Sequence, residues 1–283
     1  MDIVNQFPGA SRRRPSNWLS GLEAQLVTHI MVDPTDQGTI SNKGTPLSVE
    51  RAIRLLREGL FYEAKGLLAW SSNYTFLMGI SDGEVDRLAI YKPRRGERPL
   101  WDFPDGTLCQ REVAAFLLSE ALGWHIVPPT ILRDGPQGIG SVQLYIEHDP
   151  EQNYFTFGHH LRPQLMRIAL FDHLVNNADR KGGHCLLDSN GQIWAIDHGI
   201  CFHTQPKLRT VIWDFAGEPI PPALLETIGK LCGELSEPEL RQALSALLSR
   251  AEIEALQRRA EQLVTTGVYP HPGPGRNYPW PPV

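Results

Sequence analysis

The sequence predicts an α+β fold in two lobes, a smaller β-rich lobe followed by a larger, mainly helical one. Two observations carry this. Up to about residue 146, short runs of apolar residues alternate between Gly, Pro and Asn turns, the period of strands. After residue 150 the apolar positions return every three or four residues, the period of helices. Strands first and helices afterwards argue for segregated layers rather than an alternating parallel sheet. With 283 residues the chain can bury a sizeable core, as one large domain or two small ones.

The elements follow in order. Residues 1–47 show no sustained periodicity and are rich in turn chemistry, as in Asp33-Pro34 and Asn42-Lys43-Gly44, so an irregular N-terminal arm is expected. Ser48 opens a helix in which Val49, Ala52, Ile53, Leu56 and Leu60 share a face. Asn73–Ile80 and Arg87–Lys92, joined by Ser81-Asp82-Gly83-Glu84, predict a β-hairpin that Pro93 ends. A helix starts near Leu108, with Val113, Phe116, Leu117 and Ala121 on one face and Gly123 as its stop. Strands are expected near 126–132 and 140–146.

Arg162–Val175 is amphipathic through Leu165, Ile168, Phe171 and Leu174. Cys185–Leu187 and Gln192–Ile196 flank Asn190-Gly191, a hairpin signal. Ser236…Glu239 and Ser249…Glu252 match the capping box, in which each side chain satisfies an exposed helix donor. Residues 268–283 hold six prolines and predict an extended, polyproline-like tail. The expected units are the arm 1–47, the β-rich lobe 48–147, the helical lobe 148–267 and the tail 268–283.

Composition narrows the function. Lys plus Arg number 27 and Asp plus Glu 32, a net charge of −5. The chain therefore lacks the overall basic footprint of a non-specific nucleic-acid binder, or of a protein held on anionic lipid by charge alone. Its four cysteines form no C-x-x-C pair and are expected as reduced thiols. Residues 1–30 contain no signal-peptide apolar region, and no apolar run approaches the roughly 20 residues that span a bilayer. A cytoplasmic protein is the expectation.

Three constellations can carry chemistry. Lys92 closes an alternating strand and Glu112 lies early in a helix; separately each is an ordinary surface charge, and together they can cradle nucleotide phosphates beneath the Ser71-Ser72-Asn73 turn. The loop Asn176-Asn177-Ala178-Asp179-Arg180-Lys181-Gly182-Gly183-His184 concentrates hydrogen-bonding side chains between a helix and a hairpin, a place that suits catalytic groups as well as a plain turn. Asp179 there can orient a hydroxyl and accept its proton. Ile196-Asp197-His198-Gly199 ends the hairpin, which can bring Asp197 and Asp179 to one end, a carboxylate pair that suits Mg²⁺ or Mn²⁺. The rival is zinc, since His184, Cys185, His198, Cys201 and His203 are close in sequence, in a spacing that matches no standard zinc pattern.

The order of a strand lysine, a helix glutamate, an Asp-Arg loop and a strand ending in Ile-Asp-x-Gly resembles the phosphatidylinositol 3/4-kinase-like branch of the protein kinase-like superfamily. That superfamily also takes in toxin kinases of the HipA type. Ala89-Ile90-Tyr91-Lys92-Pro93, Leu100-Trp101-Asp102-Phe103-Pro104, Arg111-Glu112-Val113-Ala114-Ala115, the Asn177–His184 loop and Ile196-Asp197-His198-Gly199 resemble a bacterial family of this type, over roughly residues 50–265. The resemblance implies a two-lobed protein kinase-like fold. It implies an ATP-dependent kinase that uses Mg²⁺ or Mn²⁺ and transfers phosphate to a hydroxyl acceptor.

Residue by residue, it implies that Lys92 binds the α/β-phosphates and Glu112 holds it, and that Ser72 and Asn73 sit in the turn over the phosphates. Gln143, Tyr145 and Glu147 would belong to the hinge beside adenine. Asp179 would be the catalytic aspartate, and Asp197 would hold the metal. His184 stands where the lipid-kinase pattern has a metal-binding Asn, and Lys181 replaces the His of Asp-Arg-His. As a metal ligand, His184 predicts a preference for Mn²⁺ and activity that falls as pH drops through an imidazole pKa near 6.5. Only Lys207 and Arg209 are basic between Ile200 and Val211, so the sequence gives no basic cluster for a polyphosphorylated lipid headgroup. A protein, a small metabolite and a lipid all stay open as acceptors. A nucleotide-binding pseudokinase and an AMP transferase are the alternatives. Because every motif precedes residue 200, the tail is expected to be dispensable for ATP binding.

Overall fold

The computed structural model describes residues 47–67 and 73–283, the side chains of 63–67 excepted. Residues 1–46 of the expected arm 1–47, and the predicted site residue Ser72, lie outside the described residues. The smaller lobe is built on a five-stranded antiparallel sheet in the order β1-β2-β3-β5-β4, with β1 Leu60–Leu67, β2 Phe76–Ser81, β3 Asp86–Pro93, β4 Thr130–Gly135 and β5 Gly138–Leu144. Helices α1 (Val49–Glu58) and α2 (Leu108–Ala121) pack on β4 and β5.

Helix α1 begins as its sequence predicts: the Ser48 hydroxyl accepts the Arg51 N–H at 3.3 Å, satisfying one of the orphan donors of the first turn. Its face of Ile53, Leu55 and Leu56 is buried, each side chain contributing roughly 2 kcal/mol by leaving water. The helix stops sooner than its periodicity suggests. Gly59 is extended, and a Cβ there would come within 2.5 Å of the Leu55 carbonyl, so the chain leaves the helix axis at this residue. Leu60 therefore starts β1, 74% exposed, instead of extending the apolar face of α1.

Helix α2 departs from its expected single apolar face. From Leu108 to Glu120 all its residues but Gln110 are buried, charged Arg111, Glu112 and Glu120 included. The reason is its place between the lobes. Arg111 donates to the Cys201 carbonyl at 2.7 Å and to Glu252 at 2.5 Å, while Glu112 faces the interlobe cleft. A helix hydrophobic or paired on every side is one enclosed by protein on every side.

The larger lobe holds α3 (Arg162–Val175), α4 (Pro222–Glu234), α5 (Pro238–Ser245) and α6 (Arg250–Thr266), with a small hairpin of β6 (Cys185–Leu187) and β7 (Ile193–Ala195). Ser249 and Glu252 form the predicted capping box of α6. Ser236 and Glu239 do not form theirs. Pro238 takes the first position of α5 and Glu237 becomes its cap residue, because proline's fixed φ and missing N–H suit that place; the Ser236 hydroxyl instead bonds back to the Cys232 carbonyl.

Candidate functional site

The two lobes face each other across a cleft of about 530 Å³. Lys92 reaches it from β3, where strand alternation turns its neighbours Tyr91 and Pro93 to the buried side. Its ammonium donates to Oε1 of Glu112 and, at 2.9 Å, to Oδ1 of Asp197. The other oxygen of Glu112 accepts the backbone N–H of His198 at 3.0 Å. One α2 carboxylate thus holds both the strand lysine and the turn that carries Asp197.

Asp197 follows β7 in the left-handed region, with φ of 62°. A side chain there costs about 1–2 kcal/mol, least for Asp and Asn, and such strain gathers at functional sites. Facing Asp197 Oδ2 at 3.3 Å is Nε2 of His184, the last residue of a 3₁₀ turn over Gly182–His184. His184 Nδ1 accepts the Lys181 N–H at 3.4 Å. Asp179 completes the set from the loop after α3. Its own N–H donates to Asn177 Oδ1 at 3.0 Å, and its carboxylate lies 3.5 Å from the Lys181 ammonium.

The loops of Asp179 and Asp197 share one buried support. Asp172, in the last turn of α3, and Arg180 are both fully enclosed. The guanidinium bonds both Asp172 oxygens, then the carbonyls of His184 at 3.1 Å and Ile196 at 2.8 Å, and His198 Nε2 at 2.8 Å. Asn177 Nδ2 adds a bond to Asp172 at 2.9 Å. Neither Asp172 nor the role of Arg180 was inferred from the sequence. The available signal was a carboxylate inside the apolar run Leu170-Phe171-Asp172-His173-Leu174, on a face that has to be buried.

The field in the cleft sorts the titratable groups. Burial alone would depress Lys92, but Asp197 and Glu112 outweigh it and raise its pKa, so the lysine stays charged. Burial would likewise raise Asp197; Lys92 and His184 overcome this and hold the carboxyl well below the usual range. Asp179 has less compensation. Its desolvation, only partly offset by Lys181 and reinforced by Asp197, lifts it to about 6. His184 is pushed down to about 4, chiefly by burial, and is neutral near pH 7. The acid limb expected from an ordinary imidazole is thereby moved far below neutrality.

A hard divalent ion fits this donor set. Asp197 offers carboxylate oxygens, and an ion of this class takes its other ligands from nucleotide phosphates and water; His184, whose Nδ1 accepts the Lys181 N–H and whose Nε2 faces Asp197 at 3.3 Å, adds a nitrogen only as the other tautomer, with the Lys181 contact given up. Among the described residues no three His, Cys, Asp or Glu side chains converge on a ready-made metal site. The five residues of the zinc alternative are dispersed: His198 is bonded to Arg180, His203 packs edge-on to Phe103, and burial pushes the Cys185 thiol up to about 12.

Asn73 lines the cleft, its side-chain oxygen accepting the Arg98 N–H at 2.8 Å. Gln143, Tyr145 and Glu147 are not among the residues that line it. The Gln143 amide is buried and bonded to Thr130 at 2.8 Å, and Tyr145 packs toward His148. The tail does reach the cleft. The Pro282 carbonyl accepts the Gly182 N–H at 2.8 Å, and Trp280 and Pro281 form part of the wall. Its anchor is Asn277, whose carbonyl accepts from Thr210 N–H and the Trp213 indole, together with the buried Tyr269.

The chain is similar to several known proteins. Protein Rv2133c of Mycobacterium tuberculosis is 41% identical over 251 residues, 76% of this chain and 90% of that protein. Phosphatidylinositol 4-kinase gamma 4 of Oryza sativa subsp. japonica is 30% identical over 145 residues, 43% of this chain and 25% of the rice protein. The crystal structure of the proinflammatory kinase CtkA of Helicobacter pylori aligns with a TM-score of 0.47 at 13% identity, over 75% of this chain and 93% of that one. The sequence profile of the phosphatidylinositol 3- and 4-kinases matches residues 111–252, from the helix that holds Glu112 through the loops of Asp179 and Asp197 to the residue that pairs with Arg111. With that span matched, the chain belongs to the phosphatidylinositol 3- and 4-kinase family, a family of phosphotransferases.

Proposed function

We propose that the chain is an ATP-dependent phosphotransferase that moves the γ-phosphoryl group to a hydroxyl supplied by a protein, a small metabolite or a lipid. The carrying observation is that Lys92, Glu112, Asp179, His184 and Asp197, from separate segments, line one cleft. Lys92 binds the α/β-phosphates, and Glu112 fixes its position. Asn73 belongs to the turn over the phosphates. Gln143, Tyr145 and Glu147 belong to the hinge segment beside the adenine, which runs out of β5. Asp197 and His184 would hold Mg²⁺ or Mn²⁺, which neutralises phosphate charge when bound. Asp179 orients the hydroxyl and takes its proton as the new O–P bond forms and the bond to the ADP oxygen breaks.

Incubation with γ-labelled and α-labelled ATP tests the reading. Label passing from the γ position alone is the expected result. Label from the α position indicates AMP transfer, and metal-dependent binding with neither transfer indicates a scaffold; both contradict the proposal.

Asp179→Asn gives a prediction with two opposite signs. A carboxyl whose pKa is raised on folding binds its proton more tightly in the folded state, so the ionised form weakens the fold above about pH 6. Asparagine removes that cost, and stability at pH 7.5 should rise by about 1–3 kcal/mol. The gain should fade as pH falls through 6 toward 4. Transfer should fall by about 10²–10⁴-fold, and the wild-type rate should drop on the acid side of pH 6. Denaturant melts at pH 7.5 and pH 4, with rates across that range, check each sign.

A further inference from the structure

A second cavity, of about 960 Å³, lies on the helical lobe between α6, the segment 204–209 and the tail, and none of its lining residues belongs to the interlobe cleft. Lys207, Arg209, Arg258, Arg259 and Arg276 line it, and no Asp or Glu does. In a chain of net charge −5 this is a local reversal of sign. It escapes a reading along the sequence because the cations come from three distant segments.

Four guanidiniums line the cavity without a direct ion pair, although Arg209 acts at longer range on Asp179 and Arg258 on Glu254. Lys207 is neutralised by Asp102 at 2.8 Å. Among the described residues no carboxylate lies within ion-pair distance of Arg209, Arg258, Arg259 or Arg276. The nearby Glu254 is bonded to Arg250 at 2.7 Å. Arg259 donates only to the carbonyls of Leu174, at 2.7 Å, and His203, at 3.3 Å. Its remaining nitrogen is shielded from water with no hydrogen-bond partner. Its surroundings lower its pKa to about 10 through burial, so a charged group sits here without a counter-ion. Native proteins seldom leave such a donor unmet.

The walls are fixed in place. Asn176, itself left-handed at φ 55°, bonds the carbonyls of His203 and Gln205 and the Lys207 N–H, and Asn277 ties the tail to Thr210 and Trp213. A preformed concavity of this size suits a small molecule or a headgroup. Guanidiniums in number, presenting planar forks, match phosphate oxygens better than a single carboxylate.

We propose that this cavity is a second anion site, separate from the interlobe cleft, for a ligand that carries one or more phosphate groups. The proposal holds whether or not the cleft transfers phosphate. Arg258 and Arg276 are exposed, so Arg258→Glu with Arg276→Glu leaves the core untouched. The test is calorimetric titration of inorganic pyrophosphate in EDTA at low salt, into wild type, Arg258→Glu/Arg276→Glu and Lys92→Met. Vesicles of phosphatidylcholine with and without phosphatidic acid form a parallel arm.

Expected is saturable binding by wild type and Lys92→Met, weakened at least about tenfold in the arginine variant and by added salt. Pyrophosphate binding assigns the site to a free phosphate compound. Retention only on vesicles with phosphatidic acid, lost in the arginine variant, assigns it to a lipid headgroup. The proposal is overturned if folded wild-type protein binds neither probe, if only Lys92→Met loses binding, or if poly-glutamate competes as well as pyrophosphate.

Discussion

Arg180→Met is expected to lower stability by about 3–5 kcal/mol, the cost of stranding a buried charge. Asp172 would keep only Asn177 as a side-chain donor, in a site with no access to water. The Ile196 carbonyl and Nε2 of His198 would lose this donor in the same step, while the His184 carbonyl would keep only the Ile196 N–H. For a chain of this size the melting temperature should fall by roughly 10 °C. Asp172→Leu alone should cost a similar amount, because it strands the guanidinium instead. The double variant should cost clearly less than the two singles together, since it removes both charges. Additive effects, or a fall of only a degree or two in each single variant, would show that the pair is not the support described. Arg180→Lys tests the geometry: it keeps the charge but cannot reach Asp172, two carbonyls and an imidazole at once.

This support explains which part of the site could be read in the sequence. Lys92, Glu112, Asp179, His184 and Asp197 each sit in a local pattern, at a strand end, an early helix position or a turn, and local patterns survive without knowledge of the fold. Helix α3 and the Asn190-Gly191 turn are legible for the same reason, their periodicity or turn chemistry being complete within a few residues. Long-range pairs are not. Arg111 and Glu252 are 141 residues apart, and nothing near either one announces the other. Glu252 was legible only as half of a capping box, which it forms while its other oxygen holds Arg111.

Strand β1 was hidden by composition. Glu63, Ala64 and Lys65 are good helix formers, and Leu60 continues the spacing of α1. What overrides them is pairing with β2, a tertiary partner invisible to propensity. The tail shows the same limit in another form. Its prolines correctly exclude a helix. Yet the contacts of Asn277 and Pro282 with Thr210, Trp213 and Gly182 set it beside the cleft, so its distance from the motifs in sequence does not separate it from them in space.

Asp197→Asn should leave the fold in place and remove transfer. The backbone argument favours this variant over alanine. Asn tolerates the left-handed conformation at φ 62° almost as well as Asp, whereas alanine would add strain of about 1 kcal/mol. Lys92 would keep its bond to Glu112, and Glu112 its bond to the His198 N–H, so the cleft keeps its shape. The stability lost should be small, about 1 kcal/mol, because the Asp197 side chain is 44% exposed and its pairing with Lys92 is partly screened. The sign follows from its depressed pKa: the carboxylate stabilises the fold above the ordinary Asp range, and the contribution disappears as pH falls through that range and below.

Catalysis should respond on another scale. A neutral amide in place of the carboxylate offers a divalent ion an uncharged, weaker oxygen ligand. Losing several kcal/mol of charge neutralisation on the phosphates corresponds to a fall of about 10³-fold or more in rate. Calorimetry of ATP with Mg²⁺ and then Mn²⁺, set beside single-turnover transfer, separates the two consequences. The expected pattern is metal-dependent nucleotide binding weakened and transfer lost, with the melting temperature within a few degrees of wild type. Transfer at the wild-type rate would take Asp197 out of the metal site. A large fall in melting temperature would mean that its contact with Lys92 holds the lobes together, a structural rather than a chemical role.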